Sequence, residues 1–305
     1  MKKLKAIWEL MRLEHGVMLF LAILIGSLIA QKTPPKTLFD NLNLLLRNIF
    51  LTFFTALFLE ASTFALNDYY DLEIDRINKR TDRPLVRGDI SPKTALNIFY
   101  LLFPLGLICS YFVNMTCFII ALITALISVL YDVKMKKIKL IGNFYIAYIM
   151  AIPFVFGGAT VLDNAFSLGA INPAIYVIAL IAFLAGAGRE IMKDVMDFEG
   201  DKLHGVKSFP RYIGIRASNG IASLFYLCAI ALSFLPFFLA DFKLFYQNIT
   251  YFILIFITDT MLLSTCLQLM FKKQPNMKFH RKYTLVAIFI GLLAFLVGAF
   301  IGGGG

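Results

Sequence analysis

The sequence predicts an all-α membrane protein with nine transmembrane helices, and three observations predict it. Hydrophobic residues make up 59% of the 305 positions and charged residues only 16%, against roughly 25% charged in an average soluble domain. The apolar residues gather into runs of roughly 17 to 25, the length that crosses a bilayer as a helix. The Lys and Arg residues collect in alternate connections, as they do in cytoplasmic loops. No alternating ten-residue pattern of the outer-membrane barrel kind is present.

Taken in order, the chain opens on Lys2, Lys3 and Lys5, the composition of a secretory signal. Glu9, Arg12, Glu14 and His15 then interrupt the apolar run, and no small-residue cleavage site follows. A retained interfacial helix leading into the first span, 16–31, accounts for this segment. The second span, 47–66, runs into an acidic stretch. The third and fourth, 96–113 and 115–131, are separated by little more than Asn114 and form a tight hairpin. The fifth is 141–162; the sixth, 173–190, runs into a second acidic stretch; 218–240, 247–270 and 283–301 complete the set. Pro104, Pro153 and Pro236 fall inside spans and are expected to kink them. Gly157–Gly158 and Gly186–Gly188 allow helices to approach closely.

All but Lys32, Lys36, Arg47 and Lys243 of the 29 Lys and Arg residues lie in the N-terminal segment or in connections on its side. This split predicts one polytopic domain over residues 1–305 in the cell membrane, with the N-terminus cytoplasmic and the C-terminus outside. Cys109, Cys117, Cys228 and Cys266 are dispersed through apolar runs without a CxxC pair and read as small hydrophobes. His15, His204 and His280 are equally scattered, which leaves a His-based zinc or haem site without support.

Two acidic stretches stand out against this background. From Asp68 the chain reads DYYDLEIDR and from Asp194 it reads DVMDFEGDK. Both place Asp at the third and seventh following positions, Glu at the fifth and a base at the eighth, and Pro84 and Pro210 follow at matching offsets. In a helix the three aspartates of each stretch fall within about 60° of arc and can converge on one cation. Carboxylates at the end of a membrane helix are costly unless paired or metal-bound, so they mark function. Oxygen donors without Cys or His suit Mg²⁺, Mn²⁺ or Ca²⁺. The bases around them, among them Arg76, Lys79, Arg80, Arg83, Arg87, Lys134, Arg189, Lys193, Lys202, Lys207 and Arg211, favour a phosphorylated anion held between metal and cations. An isoprenyl diphosphate joins such a head group to a tail that suits an apolar cavity. Tyr69, Tyr70, Tyr131, Tyr145 and Tyr148 offer ring faces to the allylic cation left when diphosphate departs.

At this level of detail the chain resembles a known family. Asn67-Asp68-x-x-Asp71-x-x-x-Asp75 is similar to the NDxxDxxxD signature of the UbiA superfamily of intramembrane prenyltransferases, and Asp194-x-x-Asp197-x-x-x-Asp201 to its DxxDxxxD partner. Asp82-Arg83-Pro84-Leu85, Arg87-Gly88 and Tyr131-x-x-Lys134 extend the likeness across essentially the whole chain. The resemblance implies nine helices ringed around a central cavity, under a cytoplasmic cap of motif-bearing loops. It implies two Mg²⁺ ions between the clusters, one with Asn67, Asp68, Asp71 and Asp75, the other with Asp194, Asp197 and Asp201. Lys79, Arg83, Tyr131, Lys134, Arg189 and Lys193 would bind substrate. Arg189-Glu190-x-x-Lys193-Asp194, running to Gly200-Asp201-Lys202 and then Ser208-Phe209-Pro210, resembles the branch that builds archaeal ether lipids. That branch moves a geranylgeranyl group from its diphosphate to the sn-2 hydroxyl of geranylgeranylglyceryl phosphate. The implied partners are an isoprenyl diphosphate donor, a lipid-soluble alcohol acceptor and membrane lipid, with no nucleic acid.

Two other readings fit parts of the pattern. An aromatic prenyltransferase of quinone synthesis, acting on 4-hydroxybenzoate or a naphthoate, would share the metal motifs. A divalent-cation or polyphosphate transporter would use the clusters as an ion site, with Asp259 inside the eighth span as a further group; a helix–helix hydrogen bond is the plainer role for Asp259. The DGxxAR opening of a CDP-alcohol phosphotransferase is absent.

Overall fold

The computed structural model describes residues 2–32, 42–77, 79–136, 138–203, 205–272 and 275–302, and all regular elements among these are helical. Lys36, Lys137 and His204 lie outside the described residues. Helix α1 (Lys2–Met11) is amphipathic. It buries Ala6 and Leu10 against Leu85, Ile90 and Ala95 and leaves Leu4 and Trp8 exposed, as an interfacial helix does. A sharp turn at Arg12, with φ 49°, and a short 3₁₀ turn at Leu13–His15 lead into α2 (Gly16–Lys32).

The next helix, α3, runs from Leu42 to Ile77, 36 residues without a break. At 1.5 Å per residue that is about 54 Å, far beyond the ~30 Å hydrocarbon core. The acidic stretch is therefore the helix continuing past its apolar part, which is why the span expected at 47–66 extends at both ends. The short α4 (Pro84–Arg87) precedes α5 (Pro92–Tyr111), whose N-terminus is capped by Ser91 accepting from the Thr94 amide. Asn114 caps α6 (Met115–Leu130) by accepting from Cys117 N at 2.8 Å, and its own amide donates to the Ala159 carbonyl at 2.8 Å. One side chain thus makes the expected hairpin and ties it to the next helix.

A π-helical turn, Tyr131–Met135, follows α6, and α7 spans Lys139–Gly158. Helix α8 (Pro173–Leu203) repeats the behaviour of α3 by carrying the second acidic stretch beyond its apolar part. In α9 (Phe209–Ser233) the helix breaks at Gly214, φ 80° and ψ 165°, a conformation natural to glycine. Pro236 lies inside the candidate span Phe209–Phe238, and the helix is interrupted at Phe234 just before it. The proline opens the separate α10 (Leu235–Phe238), where a missing amide costs nothing. Helices α11 (Ile249–Phe271) and α12 (Met277–Ile301) end the described chain.

Among the described residues, nine helices are long and apolar enough to cross a membrane: α2, α3, α5, α6, α7, α8, α9, α11 and α12. They pack in sequence order around a closed circuit, and α12 returns to α2. The circuit is fastened where Gly26 of α2 meets Gly157 of α7, since a Cβ on either would collide with the backbone of the other helix. Ser27 Oγ donates to the Gly157 carbonyl there at 3.0 Å. On the side opposite the acidic stretches, Lys32 Nζ donates to the carbonyls of Ala299 at 2.8 Å and Phe300 at 2.9 Å, closing the C-terminal end of α12.

Candidate active site

The two long helices set the site. Asn67, Asp68, Asp71 and Asp75 occupy the last turns of α3, and Asp194, Asp197 and Asp201 those of α8. Asp68 is 2% exposed, a burial that a carboxylate sustains only with partners. Its Oδ1 accepts from Arg12 Nη2 and Arg83 Nη1, both at 2.9 Å, while its Oδ2 is buried without a hydrogen-bond partner. Arg83 Nε also lies 3.8 Å from Asp75 Oδ2. The Asn67 side-chain amide sits 3.5 Å from both Asp68 Oδ1 and Asp71 Oδ2. Asp71 pairs with Lys136.

In the second cluster Asn143 Nδ2 donates to Asp194 Oδ2 at 2.7 Å. Lys139 Nζ donates to Asp201 Oδ2 at 2.7 Å and lies 3.7 Å from Asp194 Oδ1. The connection between α6 and α7, together with the first residue of α7, therefore reaches both clusters, one through Lys136 and the other through Lys139. This single stretch brings the ends of α3 and α8 to one side of the bundle, as the duplicated motif requires.

Beside the clusters lies a cavity of about 760 Å³. Arg12, Asn67, Tyr131, Asp132, Lys136, Arg189, Glu190 and Lys193 line its charged part, and Met18, Leu59, Phe64, Ile120, Phe154, Ile178 and Leu292 are among its apolar walls. Every membrane helix except α5 contributes a wall residue among those described; α5 stands outside, packed on α3. Arg189 Nη1 approaches Glu190 Oε1 at 3.3 Å, and its Nε is buried without a hydrogen-bond partner. Lys193 Nζ donates to Glu190 Oε2 at 2.6 Å. Tyr131 and Tyr145 stack on the wall with centroids 4.2 Å apart. Ser233 Oγ donates to Asp259 Oδ2 at 2.7 Å, so Asp259 takes part in a hydrogen bond between α9 and α11.

Several expected residues stand elsewhere. Lys134 is exposed and lines an outer groove with Phe99, Phe103, Leu126 and Val133. The π-turn explains the displacement, because its extra residue per turn rotates Lys134 outward and Lys136 inward. Lys79, with φ 53°, is exposed, as is Asp197. Tyr69 packs beside α1 and Tyr70 is exposed, while Tyr148 bonds Thr124 at 2.7 Å. In the loop after α3, Asp82 is held below its ordinary carboxyl pKa chiefly by its hydrogen bond from Arg80. The sequence does not mark Arg12, Lys136, Lys139 or Asn143 as site residues. Arg12 and the lysines read as topogenic charge; Asn143, a polar residue at the start of an apolar span, was the available signal.

Among the described residues no three His, Cys, Asp or Glu side chains form a ready metal cage. Mg²⁺ needs none, since it takes one or two carboxylates and completes its shell with phosphate oxygens and water. The unpartnered Asp68 Oδ2 and the all-oxygen donor set fit that ion.

Residues 19–282 match the UbiA prenyltransferase family. The chain is similar to a digeranylgeranylglyceryl phosphate synthase of Archaeoglobus fulgidus, 43% identical over 97% of this chain and 96% of that one. It superposes on a structure solved in work on digeranylgeranylglyceryl phosphate synthase in membranes with a TM-score of 0.77, at 35% identity over 98% and 99% of the two chains. A UbiA homolog from Archaeoglobus fulgidus bound to GPP and Mg²⁺ shares the fold with a TM-score of 0.57, at 20% identity over 97% and 98%.

Proposed function

From the premise that this chain belongs to the UbiA prenyltransferase family, we propose that it transfers a geranylgeranyl group from geranylgeranyl diphosphate to the sn-2 hydroxyl of geranylgeranylglyceryl phosphate. The observation that carries this reading is the pair of aspartate clusters linked through Lys136 and Lys139 at the rim of an apolar cavity. The relatives named as digeranylgeranylglyceryl phosphate synthases support the choice of acceptor.

Asn67, Asp68, Asp71 and Asp75 would hold one Mg²⁺, and Asp194, Asp197 and Asp201 a second. Bound there, the metal supplies charge neutralisation that makes diphosphate a competent leaving group. Lys136, Lys139, Arg12 and Arg83 now neutralise carboxylates, and they are within reach to turn to phosphate oxygens as those carboxylates take up the ions. The stacked Tyr131 and Tyr145 present ring faces where positive charge develops. The aliphatic walls keep water from the allylic cation. Arg189, with its unpartnered Nε, and Lys193 suit the acceptor phosphate. The charge asymmetry of the loops supports a cytoplasmic side for the N-terminus and both clusters in the cell membrane.

The test is direct. Purified protein given both substrates should release diphosphate and form the diether only with Mg²⁺ present, and a tenfold excess of 4-hydroxybenzoate should leave the product unchanged. Preference for the aromatic acid would overturn the acceptor assignment.

A further inference from the structure

Formation of the ether bond releases a proton, and none of the groups discussed above is free to take it. Five acids line the cavity: Glu14, Glu60, Asp132, Glu190 and Asp259. Glu190 is engaged on both oxygens, by Lys193 Nζ at 2.6 Å and Arg189 Nη1 at 3.3 Å. Asp259 accepts from Ser233 on another wall. Asp132 lies next to Tyr131 in the connection that carries Lys136 to Asp71, so it belongs with the diphosphate end. Glu14 is exposed in the 3₁₀ turn before α2.

Glu60 differs from all of these. It lies in the apolar part of α3, where a carboxylate is costly, yet its charged neighbour is a titratable ring, with His15 Nδ1 3.5 Å from Oε1. His15 is in turn set edge-on against Phe64, with centroids 5.5 Å apart. Glu60, Thr63, Phe64 and Asn67 all line the cavity, and their spacing puts them on one helix face. Glu60 precedes Asn67 by seven residues, so it lies about 10 Å along the axis from the metal-binding end of that face. A diphosphate held at that end and extending along the face would bring its ester carbon toward Glu60. Thr63 does not compete for the position, because its hydroxyl bonds the carbonyls of Leu59 and Glu60.

We propose that Glu60, oriented by His15, accepts the proton of the acceptor hydroxyl. The proposal rests on the prenyl-transfer reading above. A lone pair of the hydroxyl oxygen forms the new bond to C1 of the prenyl group, and the C1–O bond to diphosphate breaks with its electron pair leaving on diphosphate. The O–H electron pair stays on the ether oxygen and the proton passes to the Glu60 carboxylate. Glu60 is then a catalytic residue and His15 a positioning residue.

The experiment compares wild type, Glu60→Gln and His15→Asn with geranylgeranyl diphosphate and two acceptors, geranylgeranylglyceryl phosphate and its analogue with a thiol at sn-2. A thiol gives up its proton about seven pKa units more readily than an oxygen acid such as water, so it has little need of a base. Glu60→Gln should lower kcat with the hydroxyl acceptor by roughly 10²- to 10⁴-fold, and recover most of that loss with the thiol. His15→Asn should show the same thiol-selective pattern at smaller size, and it decides the matter if Glu60→Gln does not fold. Full turnover of the hydroxyl acceptor by Glu60→Gln, or equal loss with both acceptors in the variant that folds, overturns the proposal. Failure of the wild type to make either product would overturn the prenyl-transfer reading itself, a distinct outcome.

Discussion

At the scale of single residues, the buried carboxylates of the site are held by specific partners, while Asp197 stands exposed. Asp68 meets Arg12 and Arg83, Asp71 meets Lys136, and Asp201 meets Lys139. Replacing Asp68 or Asp194 by Ala should lower diether formation by at least roughly 10³-fold, the scale of losing a preorganised electrostatic group, as measured by mass spectrometry of the product. The three lysines of one stretch give a sharper comparison. Lys136→Met and Lys139→Met should each weaken donor binding at least about tenfold, the order of one lost charge-assisted hydrogen bond; Lys134→Met should leave it unchanged. Donor titrations monitored by thermal shift distinguish these outcomes. The acids were legible in the sequence because their period matches a helix and because the pattern recurs. Their partners were not, since a Lys that neutralises an aspartate and a Lys that sets topology look alike in a string of letters. Tyr131-x-x-Lys134 leads to a tyrosine on the cavity wall and a lysine on an outer groove, because nothing in the composition of 131–135 announces a π-turn.

At the scale of elements, the apolar runs fixed the number of membrane helices but not their ends. Helices α3 and α8 continue through polar residues that an apolarity threshold excludes, and helical hydrogen bonding does not stop where hydrophobicity does. The π-turn at Tyr131–Met135 is the element on which the site depends most. Deleting Val133, an exposed residue, would restore α-helical register and carry Lys136 away from Asp71. The expected result is a folded protein, monodisperse by size exclusion, whose donor affinity has fallen as it does in Lys136→Met. Two of the four bases on the sparse side also have an element-level explanation. Lys32 closes the end of α12, and Arg47 Nη2 reaches the Phe112 carbonyl, 3.5 Å away, at the end of α5. Lys32→Met should cost about 1 kcal/mol, the usual size of a cation at a helix C-terminus, read as a lower melting temperature with kcat unchanged.

At the scale of the whole molecule, the circuit of helices makes one chamber that joins charged and apolar chemistry. Its orientation is testable. Against a Cys-free background, a single cysteine at Lys243 should react with a membrane-impermeant maleimide from outside intact cells, and one at Arg80 only after lysis. The reverse pattern would invert the topology read from the loop charges. The paired state of the carboxylates has a consequence for how the chamber fills. Lys136 and Lys139 occupy the aspartates as resident counter-ions, so loading the site is an exchange of partners, with little net change in charge. Much of the Coulombic attraction between carboxylate and metal is offset by the ion pairs that must open, and metal alone should bind weakly. Metal arriving together with a polyanion gives the displaced ammonium groups somewhere to go. Mg²⁺ and donor should therefore load as one cooperative unit, each raising the affinity of the other by the same factor. A protein built this way would not sequester the metal between turnovers, and departure of the diphosphate would return each lysine to its aspartate and reset the chamber.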